Sequence, residues 1–175
     1  MRSRRDPHRA EIEGHPMSVN APQFRELVIM PALTALAPAG IPVAKTAADL
    51  LMATAAMETN LGTWLNQSPG PALGVFQIEP ASLDTLILRL TPAQTKAIEG
   101  ISTPLTIKEQ LDTNLMLAAA ICRLFYWQAP DPLPPDTVSG LWDYYKTWYN
   151  TVDGKAQKDD FLAAVKLTDL GGLPP

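Results

Sequence analysis

Glu58 ends an apolar helical run and is followed by a glycine-rich turn and the segment Gly74-Val75-Phe76-Gln77-Ile78. A carboxyl group so placed could serve as a proton donor in glycosidic bond cleavage. That chemistry needs an acid still protonated near neutral pH, because the leaving oxygen is a poor base and must receive a proton as the bond breaks. Leu50, Leu51, Ala55, Met57 and Leu61 predict a helix over 46–61, with Thr46 and Asp49 suited to its cap and first turn and Gly62 to its stop. Glu58 then lies in the last turn. There it faces the negative helix end, and Leu51, Thr54, Ala55 and Leu61 offer little to solvate a charge, so both effects raise its pKa. A glutamate near a helix end is ordinarily a solvated surface residue, so its surroundings carry the argument.

Composition removes most competing chemistries. The only histidines, His8 and His15, lie in the N-terminal tail, so a Ser-His-Asp triad, a Cys-His dyad or a His-rich zinc site cannot be assembled inside the domain. The single cysteine, Cys122, sits in an apolar helical run and reads as a buried structural thiol. No Gly-x-Gly-x-x-Gly and no Gly-Lys-Ser/Thr loop is present to hold a nucleotide, so no cofactor and no metal are expected. A net charge of −4 without a basic stripe argues against nucleic acid as a partner.

The motifs resemble those of the soluble lytic transglycosylases and their goose-type lysozyme relatives at four places in order. Glu58-Thr59 is similar to the family's catalytic Glu-Ser pair, with the hydroxyl retained. Gly74-Val75-Phe76-Gln77-Ile78-Glu79-Pro80 resembles its Gly-Leu-Met-Gln-Ile-x-Pro segment, and Asn114 to Cys122 is a weaker echo of its Asn-Ile-x-x-Gly-Ala-x-Tyr-Leu helix. Trp148-Tyr149-Asn150, followed by Gly154, resembles its Ala-Tyr-Asn-Ala-Gly turn, although Trp148 replaces a small residue and Thr151-Val152 replaces Ala-Gly. Gln67, Gly70-Pro71-Ala72 and Gly74 are similar to phage-encoded members of the group.

The resemblance implies a peptidoglycan-cleaving enzyme acting on the MurNAc-β-1,4-GlcNAc bond, with Glu58 as acid and then base. Thr59, Phe76, Gln77, Tyr149 and Asn150 are its implied substrate-binding residues. The Tyr149 phenol is expected near Glu58, the Asn150 amide near substrate, and Gln77 on an N-acetyl or hydroxyl group, while Phe76 is expected to pack beneath its loop. Glu79, Asp84 and Asp153 are the carboxylates near the motifs that could support a hydrolytic muramidase route instead; Glu79 before Pro80 equally suits a helix start. A lysozyme-like phage structural or glycan-binding protein with little activity is the alternative from another class. The implied partners are peptidoglycan glycan strands and virion proteins. The implied location is the virion or host cytoplasm, and then the periplasm or cell wall.

A mainly α fold must hold these residues, since no alternating β-branched run is long enough for a substantial sheet. At 175 residues and 46% hydrophobic content, one domain is expected over 17–175, which the resemblance implies is lysozyme-like, after a disordered arm over 1–16. Six to seven helices are expected, with a short irregular or β-hairpin loop near 70–79. The apolar stretch 27–44 is broken by Pro31, Pro38, Gly40 and Pro42 and lacks a signal peptide's short basic lead. It reads as a core helix over 23–36 and a turn, with no stable membrane insertion.

Helices are expected from Pro80 to Leu90 and from Pro92 to Glu99. Thr106 and Glu109 form a capping-box signature for one long helix reaching Tyr126 or Trp127, whose stripe of Leu111, Leu115, Ala119, Cys122 and Tyr126 marks it as the central core helix. The Pro-rich 129–135 must be a loop, and helices over 137–149 and 155–168 complete the domain. Trp142, Tyr145, Trp148 and Tyr149 could floor a glycan groove, with core packing the favoured reading for Trp142 and Tyr145. Trp64 is either a rim contact or a helix-end anchor.

Overall fold

Local capping and proline chemistry start most of the helices that dominate this chain. The computed structural model describes residues 18–66, 69–150, 154–170 and 172–174, and among them the fold is mainly helical. Asn20 caps α1 (Ala21–Phe24) by accepting from the Gln23 N–H at 3.0 Å. The ladder then widens over Arg25–Ile29, where the Met30 N–H reaches back to the Arg25 carbonyl, before α2 (Met30–Leu36) resumes normal spacing. Pro31 explains the widening. A proline has no N–H to give and its ring crowds the carbonyl four residues earlier, and a wide turn relieves both. A short 3₁₀ turn and Gly40 at φ +81° end the run.

Helix α3 (Lys45–Thr59) begins after Ala44, which supplies no side-chain cap. The expected roles of Thr46 and Asp49 at that end are therefore corrected. Asp49 is 1% exposed and forms ion pairs with Arg25 (2.7 Å) and Lys45 (2.6 Å), so its charge serves tertiary attachment rather than capping. Arg25 also reaches Asp169 and Lys45 reaches Asp136, each at 2.6 Å. This network fastens the start of the fold, α3, the segment before α8 and the C-terminal turn.

Pro80 starts α4 (Pro80–Ile87), which stops short of the expected Leu90. Thr91 and Gln94 form a complete capping box on α5 (Pro92–Glu99). Thr106 and Glu109 do the same for α6, but that helix spans only Ile107–Gln110. The chain turns at Leu111 to Thr113, and α7 (Leu115–Trp127) starts afresh with Asn114 accepting from Leu117 N–H at 3.0 Å. The single long helix expected over 106–127 is thus two, and eight helical segments stand where six to seven were expected, counting α1 to α2 as one run among the described residues. Tertiary bonds cause the break. Asp112 turns to the Gly74 N–H, while the buried Gln110 amide donates to Leu105 O (2.7 Å) and accepts from Thr103 N (2.8 Å).

Thr137 caps α8 (Val138–Trp148), and α9 (Lys158–Val165) is shorter at both ends than the expected 155–168. Residues 129–135 form a loop. The core is shared by two helices. Residues 47–56 of α3 are buried without interruption, as are 117–124 of α7. Helix α3 packs on α7, α8 and α9, while α7 also packs on α2. Burying each large side chain such as Leu50, Leu51 or Phe161 contributes about 1.5–3 kcal/mol. No helix of the described residues is long and apolar enough to cross a membrane.

Candidate active site

The last turn of α3 sets Glu58 against a cleft of about 360 Å³. The helix stops one residue later because Asn60 turns left-handed at φ 48°. Glu58 Oε1 accepts a 2.8 Å hydrogen bond from the Tyr145 hydroxyl, which comes from the buried side of α8. Burial pushes the Glu58 pKa up to about 7, with the Tyr145 bond acting in the opposite direction. The carboxyl group is therefore a mixture of protonated and ionised forms at neutral pH. Burial also pushes Tyr145 well above an ordinary phenol, and the neighbouring Glu58 charge adds to it, so Tyr145 remains a donor.

A tight hairpin forms the facing lip. Leu73 and Ile78 exchange backbone bonds of 3.0 and 2.8 Å, and Gln77 N–H closes onto Gly74 O at 2.9 Å. Gly74 sits at φ +70°, and a Cβ there would run into the Leu111 carbonyl oxygen. Only glycine suits that position. Its N–H is shared between Leu65 O (2.8 Å) and Asp112 Oδ1 (2.7 Å), which pins the hairpin to the turn between α6 and α7. Gln77 lines the cleft at φ +48°, and its side-chain Nε2 donates to Gly74 O at 2.9 Å.

Two residues expected to touch substrate are wholly buried. The Thr59 hydroxyl lies 2.9 Å from Val75 O and 3.1 Å from Ala55 O, and it accepts from Gly62 N–H at 3.0 Å. Its work is to join the end of α3 to the hairpin, one residue from Glu58. Phe76 packs on Phe24 with ring centroids 6.4 Å apart, which matches the expectation that it lies beneath the loop and removes it from the substrate contacts.

Tyr149 and Asn150 both line the cleft, beside Phe125 and Trp148. The Tyr149 hydroxyl donates to the Phe76 carbonyl at 2.7 Å, so the bond to Glu58 comes from Tyr145, one helical turn earlier. The two rings stack with centroids 6.1 Å apart, and Tyr149 also stacks on Tyr126 at 5.3 Å. Asn150 Oδ1 accepts from Lys146 Nζ (2.9 Å), which also donates to Gly154 O (2.6 Å). A Cβ on Gly154 would collide with Asn150, so this glycine lets the chain fold back over the asparagine. Trp142 packs on Phe161 and Tyr145 and is not part of the cleft lining. Trp64 is 43% exposed and is not part of this lining.

Glu79 is a second carboxylate on the cleft and is exposed. Asp84 is exposed and outside the lining, while Asp153, Gln67, Thr151, Val152 and the arm over 1–16 lie outside the described residues. Sequence reasoning passed over Phe125, Ile78 and Ser82 in the cleft wall and Asp112 behind it. Phe125 gave no signal because α7 is apolar on nearly every side; Asp112 looks like any solvated aspartate. Among the described residues no group of three or more His, Cys, Asp or Glu side chains is placed to hold a metal ion. Comparison with protein-family models, with curated proteins and with solved structures finds no match to this chain.

Proposed function

We propose that the protein cleaves peptidoglycan glycan strands at the MurNAc-β-1,4-GlcNAc bond by the non-hydrolytic route, with Glu58 as the catalytic acid and then base. The observation that carries this reading is the buried carboxyl group of Glu58, set against a cleft and held by Tyr145 at 2.8 Å, with a pKa raised by burial to about 7. Protonated Glu58 gives its proton to the glycosidic oxygen as the C1–O bond breaks. Positive charge develops on the muramic ring, and the newly formed Glu58 carboxylate faces it. That carboxylate then takes the proton of the ring's own 6-hydroxyl as O6 bonds to C1, closing a 1,6-anhydro ring and returning Glu58 to its acid form. Atoms and charge balance without water. Tyr145 holds the carboxyl group in one orientation through both steps, since its phenol is too weak an acid to lose its own proton.

Glu79 on the same cleft supports a second reading, hydrolysis, in which it would activate water or stabilise the cation. Mass spectrometry of fragments released from purified peptidoglycan by the native protein and by Glu58→Gln separates the cases. Anhydromuramyl ends lost in Glu58→Gln are the expected result. Reducing muramyl ends transfer the assignment to hydrolysis, with Glu79→Gln as the next variant. No fragments from the native protein would leave a phage structural or glycan-binding role as the better account.

A further inference from the structure

Two recesses share lining residues with the Glu58 cleft. One shares Ser82 and Phe125 with it and reaches Arg89 and Gln128, between the end of α4 and the end of α7. The other shares Trp148 and runs past α8 to Asp131 and Asp143. At about 390 Å³ the first is similar in size to the cleft itself, and the two shared residues make it a neighbouring subsite for a glycan held at Glu58.

Arg89 is exposed, follows the last turn of α4, and makes no ion pair among the described residues; its Nη1 lies 3.5 Å from Gln128 Oε1, at the limit of a hydrogen bond. Other cations are committed, Arg25 and Lys45 to aspartates, Lys146 to Asn150 and Gly154, Lys158 to Ser139 at 3.1 Å, and Arg123 over the Trp127 ring. A guanidinium without an ion pair beside the cleft selects a strand by its charge.

We infer that Arg89 is a specificity-determining residue: it takes a carboxylate carried by the glycan, from a sugar ether substituent or its attached peptide, one subsite away from the cleaved bond. This rests on the reading of the Glu58 cleft as a glycan-cleaving site. The site then prefers strands with acidic substituents over neutral N-acetylglucosamine polymers. Because the site is open to water, the discrimination is modest and screened by salt.

The test uses the full chain carrying Glu58→Gln, which keeps the probe uncut, with and without Arg89→Gln, Arg89→Lys and Arg89→Glu. Calorimetry measures binding of a peptidoglycan-derived tetrasaccharide bearing free carboxylates, of the same oligomer with its carboxylates amidated, and of neutral tetra-N-acetylchitotetraose. The acidic probe is expected to bind about three- to fivefold tighter than its amidated form, a ratio that Arg89→Gln abolishes, Arg89→Lys partly keeps and Arg89→Glu inverts. The ratio should also shrink at high salt. Equal binding of the two forms, or a ratio indifferent to Arg89, overturns the inference. Fragment release by protein with Glu58 intact is scored in parallel on the same acidic oligomer. Cleavage without the charge ratio removes the inference alone, the ratio without cleavage removes the enzymatic reading alone, and binding of neither probe overturns both.

Discussion

The hydroxyl of Tyr145 lies 2.8 Å from Glu58 Oε1, while the hydroxyl of Tyr149, one turn further along, is 2.7 Å from the Phe76 carbonyl oxygen. The stacked phenols therefore have separate tasks, one on the acid and one on the hairpin. Replacing Tyr145 by Phe removes a donor to the Glu58 carboxylate, so the Glu58 pKa is expected to rise by about one further unit while kcat falls. Tyr149→Phe should instead lower stability by about 1 kcal/mol and leave the pH dependence in place. A pH–rate profile and a urea melt on each variant check this. An unchanged profile for Tyr145→Phe would falsify the positioning role.

Glu58 also makes the protein's activity and stability depend on pH in a stated direction. As a general acid it must be protonated, so kcat/KM is expected to fall about tenfold per unit once pH rises above about 7. Its folded pKa is raised above the ordinary carboxylate value, so the folded state holds this proton where the unfolded chain has lost it. The associated stability is fully present below about pH 4.5 and is lost as pH rises through about 7. Glu58→Gln should match the native protein in acid and exceed it by on the order of 3 kcal/mol at alkaline pH. Denaturant melts at both ends of the range measure that difference; equal stability at alkaline pH would mean that Glu58 ionises without penalty.

Thr59 offers a test of how the acid and the lip are joined. Thr59→Ala leaves the Val75 carbonyl and the Gly62 N–H without their buried partner and is expected to cost about 1–3 kcal/mol. Thr59→Ser keeps the hydroxyl and should restore most of that loss. Thermal melts of the two variants suffice, and equal melting points would show that the hydroxyl contributes nothing.

Gly74→Ala should be among the most damaging small substitutions in the chain. It adds a collision with the Leu111 carbonyl to an unfavourable positive φ, so a loss of more than about 2 kcal/mol is expected. Gly40→Ala has a positive φ with open space around it and serves as the control, losing about 1 kcal/mol. Chemical denaturation of both separates the clash from the backbone term.

Much of the helical layout was legible because its starts are written locally. Pro80, Thr91 with Gln94, Thr106 with Glu109, and Thr137 each act within three residues of themselves. The break before α7 was not legible, since its causes are distant: Asp112 answers to Gly74, and Asn114 also donates to Ile101 O. The position of Glu58 at a helix end could be read from its apolar spacing, as could its raised pKa, although burial rather than the helix end is the leading cause. Which phenol meets it could not. Tyr145 and Tyr149 are four residues apart on one face of a helix, and a repeat of 3.6 residues cannot rank them.

Along the first helical run, burial steps from Ala21 to Phe24 and then by five residues to Ile29, leaving Val28 half-covered and Leu27 69% exposed. A regular helix would have placed the next inward residue at position 27 or 28. The wide turn ahead of Pro31 is thus a phase slip of one residue, and Leu27 is the side chain it displaces outward. Substituting Pro31 would remove the ring that drives the wide turn, while the burial of Phe24 and then Ile29 would still favour the shifted phase.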